Sequence, residues 1–161
     1  MIRAAHPRDF DQIMAFWNPM IRDTTVTFSS EEKTAASLAD MIASRRAAAA
    51  EFLVAEEGGK VLGLATYAQF RGGNGYRHAM EHTVILAPEA QGRGLGRALM
   101  VALEGHARAA GCHVLVAGVS GENAAGLGFH RAIGFVETGR MPQVGRKFGR
   151  WLDLVLMQKT L

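Results

Sequence analysis

The segment that most restricts this chain is Gln91-Gly92-Arg93-Gly94-Leu95-Gly96, set between the apolar run Thr83 to Leu86 and a helical stretch beginning near Leu95. Glycines at 92, 94 and 96 let the backbone approach a ligand closely and turn its N–H groups toward one point, and the emerging helix N-terminus favours negative charge there. Strand, glycine loop and helix together make a phosphate cradle. Two common cradles are excluded by what is missing: a P-loop ends in Gly-Lys-Ser/Thr, and a dinucleotide fingerprint needs Gly where Arg97 stands.

The 161 residues suit a single domain, 1–161, able to bury a core without disulfides or a structural metal. Cys112 is the only cysteine, so no intrachain disulfide can form, and a reducing cytoplasm is the expected home. Met1 to His6 lacks the basic stretch and long apolar run of an export signal. No window reaches roughly 18 consecutive apolar residues, so no membrane association is expected. The net charge of +3 is spread over scattered lysines and arginines, which argues against a nucleic-acid groove and suits a polyanionic small molecule.

Hydrophobic spacing sets the elements. Met1 to Ala5 reads as a strand. Pro7 opens a helix carrying Phe10, Ile13, Met14 and Trp17 on one face, which Asn18-Pro19 is expected to end or bend. Thr24 to Phe28 reads as extended, and a second helix spans about Thr34 to Ala48. Phe52 to Glu56 and Val61 to Tyr67 flank Gly58-Gly59 as a hairpin. A strand from Ala79 to Ala87 precedes the cradle. A helix striped by Leu95, Leu99, Leu103 and Ala107 follows and runs to Gly111. Val114 to Val119, a short helix from Asn123 to Ile133, and strands over Phe135 to Met141 and Trp151 to Gln158 complete the chain.

Two short motifs read as coincidences. His78-Ala79-Met80-Glu81-His82 has the letters of a zinc-peptidase motif, but that chemistry needs both histidines on one helix face. Along the strand expected here they stand about 13 Å apart, so no metal site is assigned. Gly118-Val119-Ser120-Gly121-Glu122 falls short of a nucleophile elbow because Glu122 occupies the last glycine position, and Ser120 reads as a loop residue.

The strand, Gln-x-x-Gly-x-Gly and helix are similar to the acetyl-CoA pyrophosphate loop of the GNAT superfamily of N-acetyltransferases. A second GNAT motif follows in order, as Asn123, Gly126, Gly134 and Phe135. Further stretches resemble the phosphinothricin and methionine sulfoximine N-acetyltransferase branch: Thr25-Val26-Thr27-Phe28, Gly75-Tyr76-Arg77 leading to Glu81-His82-Thr83-Val84, and Met141-Pro142 through Gly145, Lys147, Gly149 and Trp151-Leu152-Asp153. The resemblance implies an α/β fold with a mixed, mostly antiparallel sheet of six or seven strands and helices on both faces. It implies acetyl-CoA as co-substrate, a small amino-acid-like acceptor and a homodimer.

It also implies site roles. Amides of Gln91, Gly92, Arg93, Gly94, Leu95 and Gly96 would hold the pyrophosphate. Val84, Ile85 and Leu86 would pair with pantetheine, the Leu86 N–H polarising the thioester carbonyl, and Asn123 would steady the arm. An alkylammonium with a pKa near about 10 must lose a proton before it attacks, and Glu81 is the expected base, a salt bridge to Arg77 being its plainer reading. His130 stands where the superfamily usually carries Tyr, and reads either as a proton-transfer or acceptor-positioning group or as a packed helix residue. Arg71 and Arg77 suit an anionic acceptor, with Phe28 and Tyr76 as walls, and Lys147 reads as a solvated surface lysine. A different amine (a protein N-terminus, polyamine or aminoglycoside) and a non-catalytic acetyl-CoA-binding module are the alternatives.

Overall fold

The computed structural model describes every residue from Met1 to Leu161. In chain order, β1 is Ile2–Ala4, α1 Phe10–Asp23, α2 Ala35–Ala47, β2 Phe52–Glu57, β3 Lys60–Gln69, β4 Ala79–Leu86, α3 Leu95–Ala109, β5 Val114–Ser120, α4 Ala124–Ala132, β6 Val136–Lys147 and β7 Arg150–Thr160. The strands form one seven-stranded sheet in the order β1-β2-β3-β4-β5-β7-β6. Every neighbouring pair is antiparallel except β4 and β5.

Alternation along the strands feeds two cores. Ile85 points toward α1 and α2 with Ile13, Phe16, Trp17, Leu38 and Leu64. Met80 and Val84 point the other way, to Leu99, Met100 and Leu103 of α3 and Leu127 of α4. Thr34 caps α2 reciprocally with Ser37: its hydroxyl accepts from the Ser37 amide at 3.0 Å, and its own amide donates to the Ser37 hydroxyl at 2.9 Å. Gly94, left-handed at φ 80°, starts α3, and Gly111, at φ 85°, follows its end.

Three expectations need correction. Helix α1 continues through Pro19 to Asp23, because Ile21 is buried in the core beyond it and outweighs the one backbone donor that proline lacks. Asn18 then clasps the backbone of Lys33, donating to its carbonyl at 3.0 Å and accepting from its amide at 2.7 Å. The segment Thr24–Phe28 is an irregular loop, not a strand. The β6–β7 hairpin runs well beyond Met141, turning at Phe148 and Gly149.

The longer hairpin also overturns a fourth expectation and explains the loop. Lys147, expected in solvent, is 5% exposed, and its ammonium donates to the carbonyls of Ile21 at 2.6 Å, Thr24 at 2.6 Å and Thr27 at 2.8 Å. All three of its N–H groups are satisfied, and the negative end of the α1 dipole adds to the attraction. Beside it, Gly145 leaves space for an aromatic ring, since a Cβ there would come within 2.4 Å of Phe28. The loop is tied once more where Thr25 donates to Glu122 at 2.9 Å, while Arg150 pairs with the same carboxylate and pulls its pKa down to about 2. Replacing Lys147 by Met keeps the chain length and leaves three carbonyls without their donor. Lys147→Met should cost about 3 kcal/mol and lower Tm by roughly 10 °C in calorimetric melting; an unchanged Tm would refute the clamp.

Candidate active site

Strands β4 and β5 pair at only three positions, Ala79 with Val114, Met80 with Leu115 and Glu81 with Val116. Beyond these, β4 stays with β3 as far as Leu86, while β5 stays with β7 as far as Ser120. The sheet therefore parts. Ala79 accepts from Phe70 and Ala87 donates to Leu62, so the odd-numbered residues of β4 turn their backbone groups to β3. The N–H and C=O groups of Val84 and Leu86 accordingly face the gap, with Ile85 between them turned away. An edge of this kind lacks partners inside the protein and is ready to pair with an extended amide-bearing chain.

A cavity of about 460 Å³ occupies the gap. Trp17, Phe28, Met41 and Arg45 line it from the α1–α2 side, and Asn123 and His130 from the α4 side, so the opening passes through the sheet. Val84, Ile85, Gly118 and Ser120 form its margins. Glu81 stands on the exposed α1–α2 face at the point of parting. Its carboxylate borders Gly118 so closely that a Cβ there would lie 3.0 Å from Oε2. It forms no ion pair with Arg77, and partial desolvation raises its pKa above the ordinary glutamate value.

At the open end of β4, Gly92 and Gly94 adopt positive φ of 73° and 80°. From Gly92 to Arg97 no backbone amide donates to a protein acceptor; the first to do so is Ala98, to Gly94 at 3.0 Å. Consecutive unengaged amides at a helix N-terminus fit a diphosphate. Gln91, Arg93 and Leu95 complete this turn, with Arg93 paired to Glu57 at 2.5 Å. Gly96 has a different duty: a Cβ there would meet the Phe129 ring at 3.2 Å, so it lets α3 approach α4. Asn123 caps α4, accepting from the Gly126 amide at 2.9 Å, and Gly126 is small because a Cβ would collide with that side chain at 2.4 Å.

His130 is buried on the face opposite Glu81, and both its nitrogens are engaged. Nδ1 lies 2.7 Å from the carbonyl of Gly126, and Nε2 lies 2.9 Å from Nε2 of His82. A carbonyl only accepts, so Nδ1 of His130 carries a proton; burial keeps both rings neutral, so His82 donates the proton shared between the two Nε2 atoms. Nδ1 of His82 is buried and has no hydrogen-bond partner. Phe135 packs against both rings at centroid distances of 5.2 Å. His82 was missed in the sequence because its role depends on a residue 48 positions away. The zinc-like motif is dispersed by the strand: His78 bonds Gly111 at 2.9 Å, far from the business of His82.

The structure does not bring Arg71, Tyr76 and Arg77 into the cavity. They occupy the exposed loop between β3 and β4, with Arg71 5.3 Å over the Tyr76 ring and Arg77 donating to His78 at 3.1 Å. Phe28, in contrast, is a cavity wall.

With this geometry in view, comparison with known proteins is unambiguous. Residues 16–135 match the acetyltransferase (GNAT) family. The chain is 41% identical over 160 residues to an L-amino acid N-acyltransferase of Escherichia coli, covering 99% of this chain and 93% of that protein. It is 41% identical over 161 residues to an L-methionine sulfoximine/L-methionine sulfone acetyltransferase of Pseudomonas paraeruginosa, covering 99% and 94%. It is 36% identical to a phosphinothricin N-acetyltransferase of Alcaligenes faecalis, covering 99% and 82%. Among solved structures, a ribosomal-protein-alanine N-acetyltransferase from Brucella melitensis superposes with a TM-score of 0.96 at 39% identity, covering 100% and 99% of the two chains. A Salmonella typhimurium protein solved with acetyl-CoA superposes with a TM-score of 0.94 at 38% identity, covering 100% and 93%. The chain belongs to the GNAT acetyltransferase family. It is an N-acetyltransferase whose co-substrate is acetyl-CoA.

Burial of the two neutral histidines links stability to pH. His82 is pushed down to about 3 by burial and by His130, whereas an unfolded histidine titrates near 6.5. Below pH 6.5 the unfolded chain takes up protons that the native pair refuses, so stability present above that pH is lost progressively as pH falls toward 3. Urea midpoints should fall between pH 7 and pH 5, and fall less steeply in His82→Asn; equal slopes would refute the neutral pair.

Proposed function

We propose that this enzyme, acting as one domain, moves an acetyl group from acetyl-CoA to the amine of a small amino-acid-like acceptor of the phosphinothricin, methionine sulfoximine or methionine sulfone type. The observation that carries this reading is the cavity running through the parted sheet, which offers each substrate its own face. The diphosphate would rest on the amides of the Gln91–Gly96 turn, and pantetheine would lie along Val84 to Leu86, with Asn123 on its far side. The Leu86 N–H would polarise the thioester carbonyl as charge develops on it.

Glu81 serves as the base, directly or through water. Partial desolvation raises its pKa above the ordinary glutamate value, which brings it nearer to that of the amine it must deprotonate. The free amine then attacks the carbonyl carbon, the tetrahedral adduct collapses, and the coenzyme leaves as thiolate, which with a pKa near about 8.5 by analogy to cysteine needs no strong acid. Cys112 lies outside the cavity lining, so direct transfer in a ternary complex is favoured over a thiol acyl-enzyme. His130, with both nitrogens engaged, acts by shaping the gap together with His82. Arg71 and Arg77 contribute positive potential on the loop entering β4, and Tyr76 supports Arg71.

Glu81 borders the cavity at Gly118 without lining it, and the lining itself carries the cations Lys33 and Arg45 and no carboxylate, which disfavours polyamines and aminoglycosides as acceptors. A ribosomal-protein N-terminus, the acceptor in the name of the Brucella structure, is the second reading. We also place the enzyme in the cytoplasm, where its single free cysteine, Cys112, would stay reduced; no helix is long and apolar enough to cross a membrane. A homodimer is favoured by the exposed apolar groups of the β6–β7 hairpin, Val144, Phe148 and Trp151.

Glu81→Gln should lower kcat by about a hundredfold or more while acetyl-CoA still binds by calorimetry. In the parent, kcat/KM should fall on acidification through a pKa above the ordinary glutamate value, since only the carboxylate accepts the proton. Undiminished turnover of methionine sulfoximine by the variant would remove Glu81 from the mechanism.

A further inference from the structure

Two cations line the cavity from the α1–α2 side and have no anionic partner. Arg45 projects from α2, forms no ion pair, and its Nε is buried without a hydrogen-bond acceptor. Lys33, just before α2, also forms no ion pair; its ammonium lies 4.7 Å over the Trp17 ring, and its backbone is clasped on both sides by Asn18. Burial lowers the pKa of both, and Arg45 further lowers that of Lys33, so the two charges sense one another. Glu31 acts on Lys33 in the opposite direction without contacting it. Desolvating a cation without a counter-charge is expensive, and two such cations on one wall imply an anion that arrives with the ligand.

We propose that Lys33 and Arg45 form an oxyanion subsite for the acceptor, taking a carboxylate or phosphinate while Phe28 and Met41 hold the aliphatic part and the amine faces Glu81. This assigns anion recognition to the cavity wall instead of the exposed arginine loop, and it rests on the acceptor class proposed above. The Arg45 guanidinium supplies the directional donors and Lys33 the point charge, with Trp17 fixing Lys33 in place.

The test is calorimetric titration of the CoA-loaded protein with three ligands. These are phosphinothricin, which carries a carboxylate and a phosphinate; methionine sulfone, which carries a carboxylate and a neutral head; and 3-(methylsulfonyl)propylamine, which carries no anion. Lys33→Met and Arg45→Met should each weaken binding of an anionic ligand by about tenfold and leave the amine and CoA itself unaffected. A loss confined to phosphinothricin locates the phosphinate at the pair; a loss shared with the sulfone locates the carboxylate there. Unchanged affinities, an equal loss for the anion-free amine, or weakened CoA binding would overturn the subsite. Lys33→Met, whose backbone stays pinned by Asn18, carries the test if Arg45→Met does not fold. Turnover measured alongside separates the two ideas: a parent that binds these amino acids through the pair but acetylates none refutes the acceptor class alone.

Discussion

The structure depends on one broken ladder. β4 and β5 are the only parallel neighbours, and they part after three paired residues because each has a stronger commitment on its other side. β4 is held by β3 along its whole length and β5 by β7, so the two antiparallel halves keep their own directions and the weaker parallel seam opens. The rings of His82, His130 and Phe135 pack beneath the point of parting. The unpaired backbone of Val84 and Leu86 is thus a consequence of topology, and in the proposed reading an amide-bearing pantetheine chain would supply what a missing strand does.

The opposite wall depends on a contact that crosses most of the sequence. Lys147 reaches from the end of β6 to carbonyls 126, 123 and 120 residues earlier, and Gly145, two positions before it, admits the Phe28 ring. A buried ammonium that meets only carbonyl oxygens needs no carboxylate, so the wall is tied down without adding negative charge to the cavity. The second tie, Thr25 to Glu122 to Arg150, keeps its carboxylate engaged outside the lining. Both devices fix the loop while leaving Lys33 and Arg45 as the uncompensated charges.

Legibility in the sequence followed the range of the interactions. Elements set by local periodicity, such as α2 with its Thr34 cap or α3 between its glycines, were readable to within a residue or two, as was the glycine turn, because their causes lie a few positions apart. The family resemblance supplied the sheet. What stayed hidden arises from distant pairing: Lys147 looks like any lysine until Ile21, Thr24 and Thr27 surround it, and His82 looks like half of a metal motif until α4 delivers His130. Pro19 misled for the same reason, since local chemistry argues for a stop and burial of Ile21 argues for continuation. Arginines in a glycine-rich loop drew attention through spacing alone, whereas Arg45 sits unremarkably in a helix and only the fold turns it toward the cavity.

The charges in and around the gap are arranged so that one substrate completes what the other needs. On the α3–α4 side, the unengaged amides of the glycine turn would receive a diphosphate, and the buried histidines carry no charge at neutral pH. On the α1–α2 side, Glu81 stands at the parting, only partly desolvated and in no ion pair, so as the proposed base it would lose and regain a proton without disturbing one. An acceptor that brings an anion would offset the cationic wall and present its ammonium to Glu81, and it would thereby lower the cost of burying all five charges together. A neutral amine would leave the two cations unpaired, and a polycation would add to them. Selection for zwitterionic acceptors then follows from electrostatic closure of the site, with shape left to discriminate among side chains.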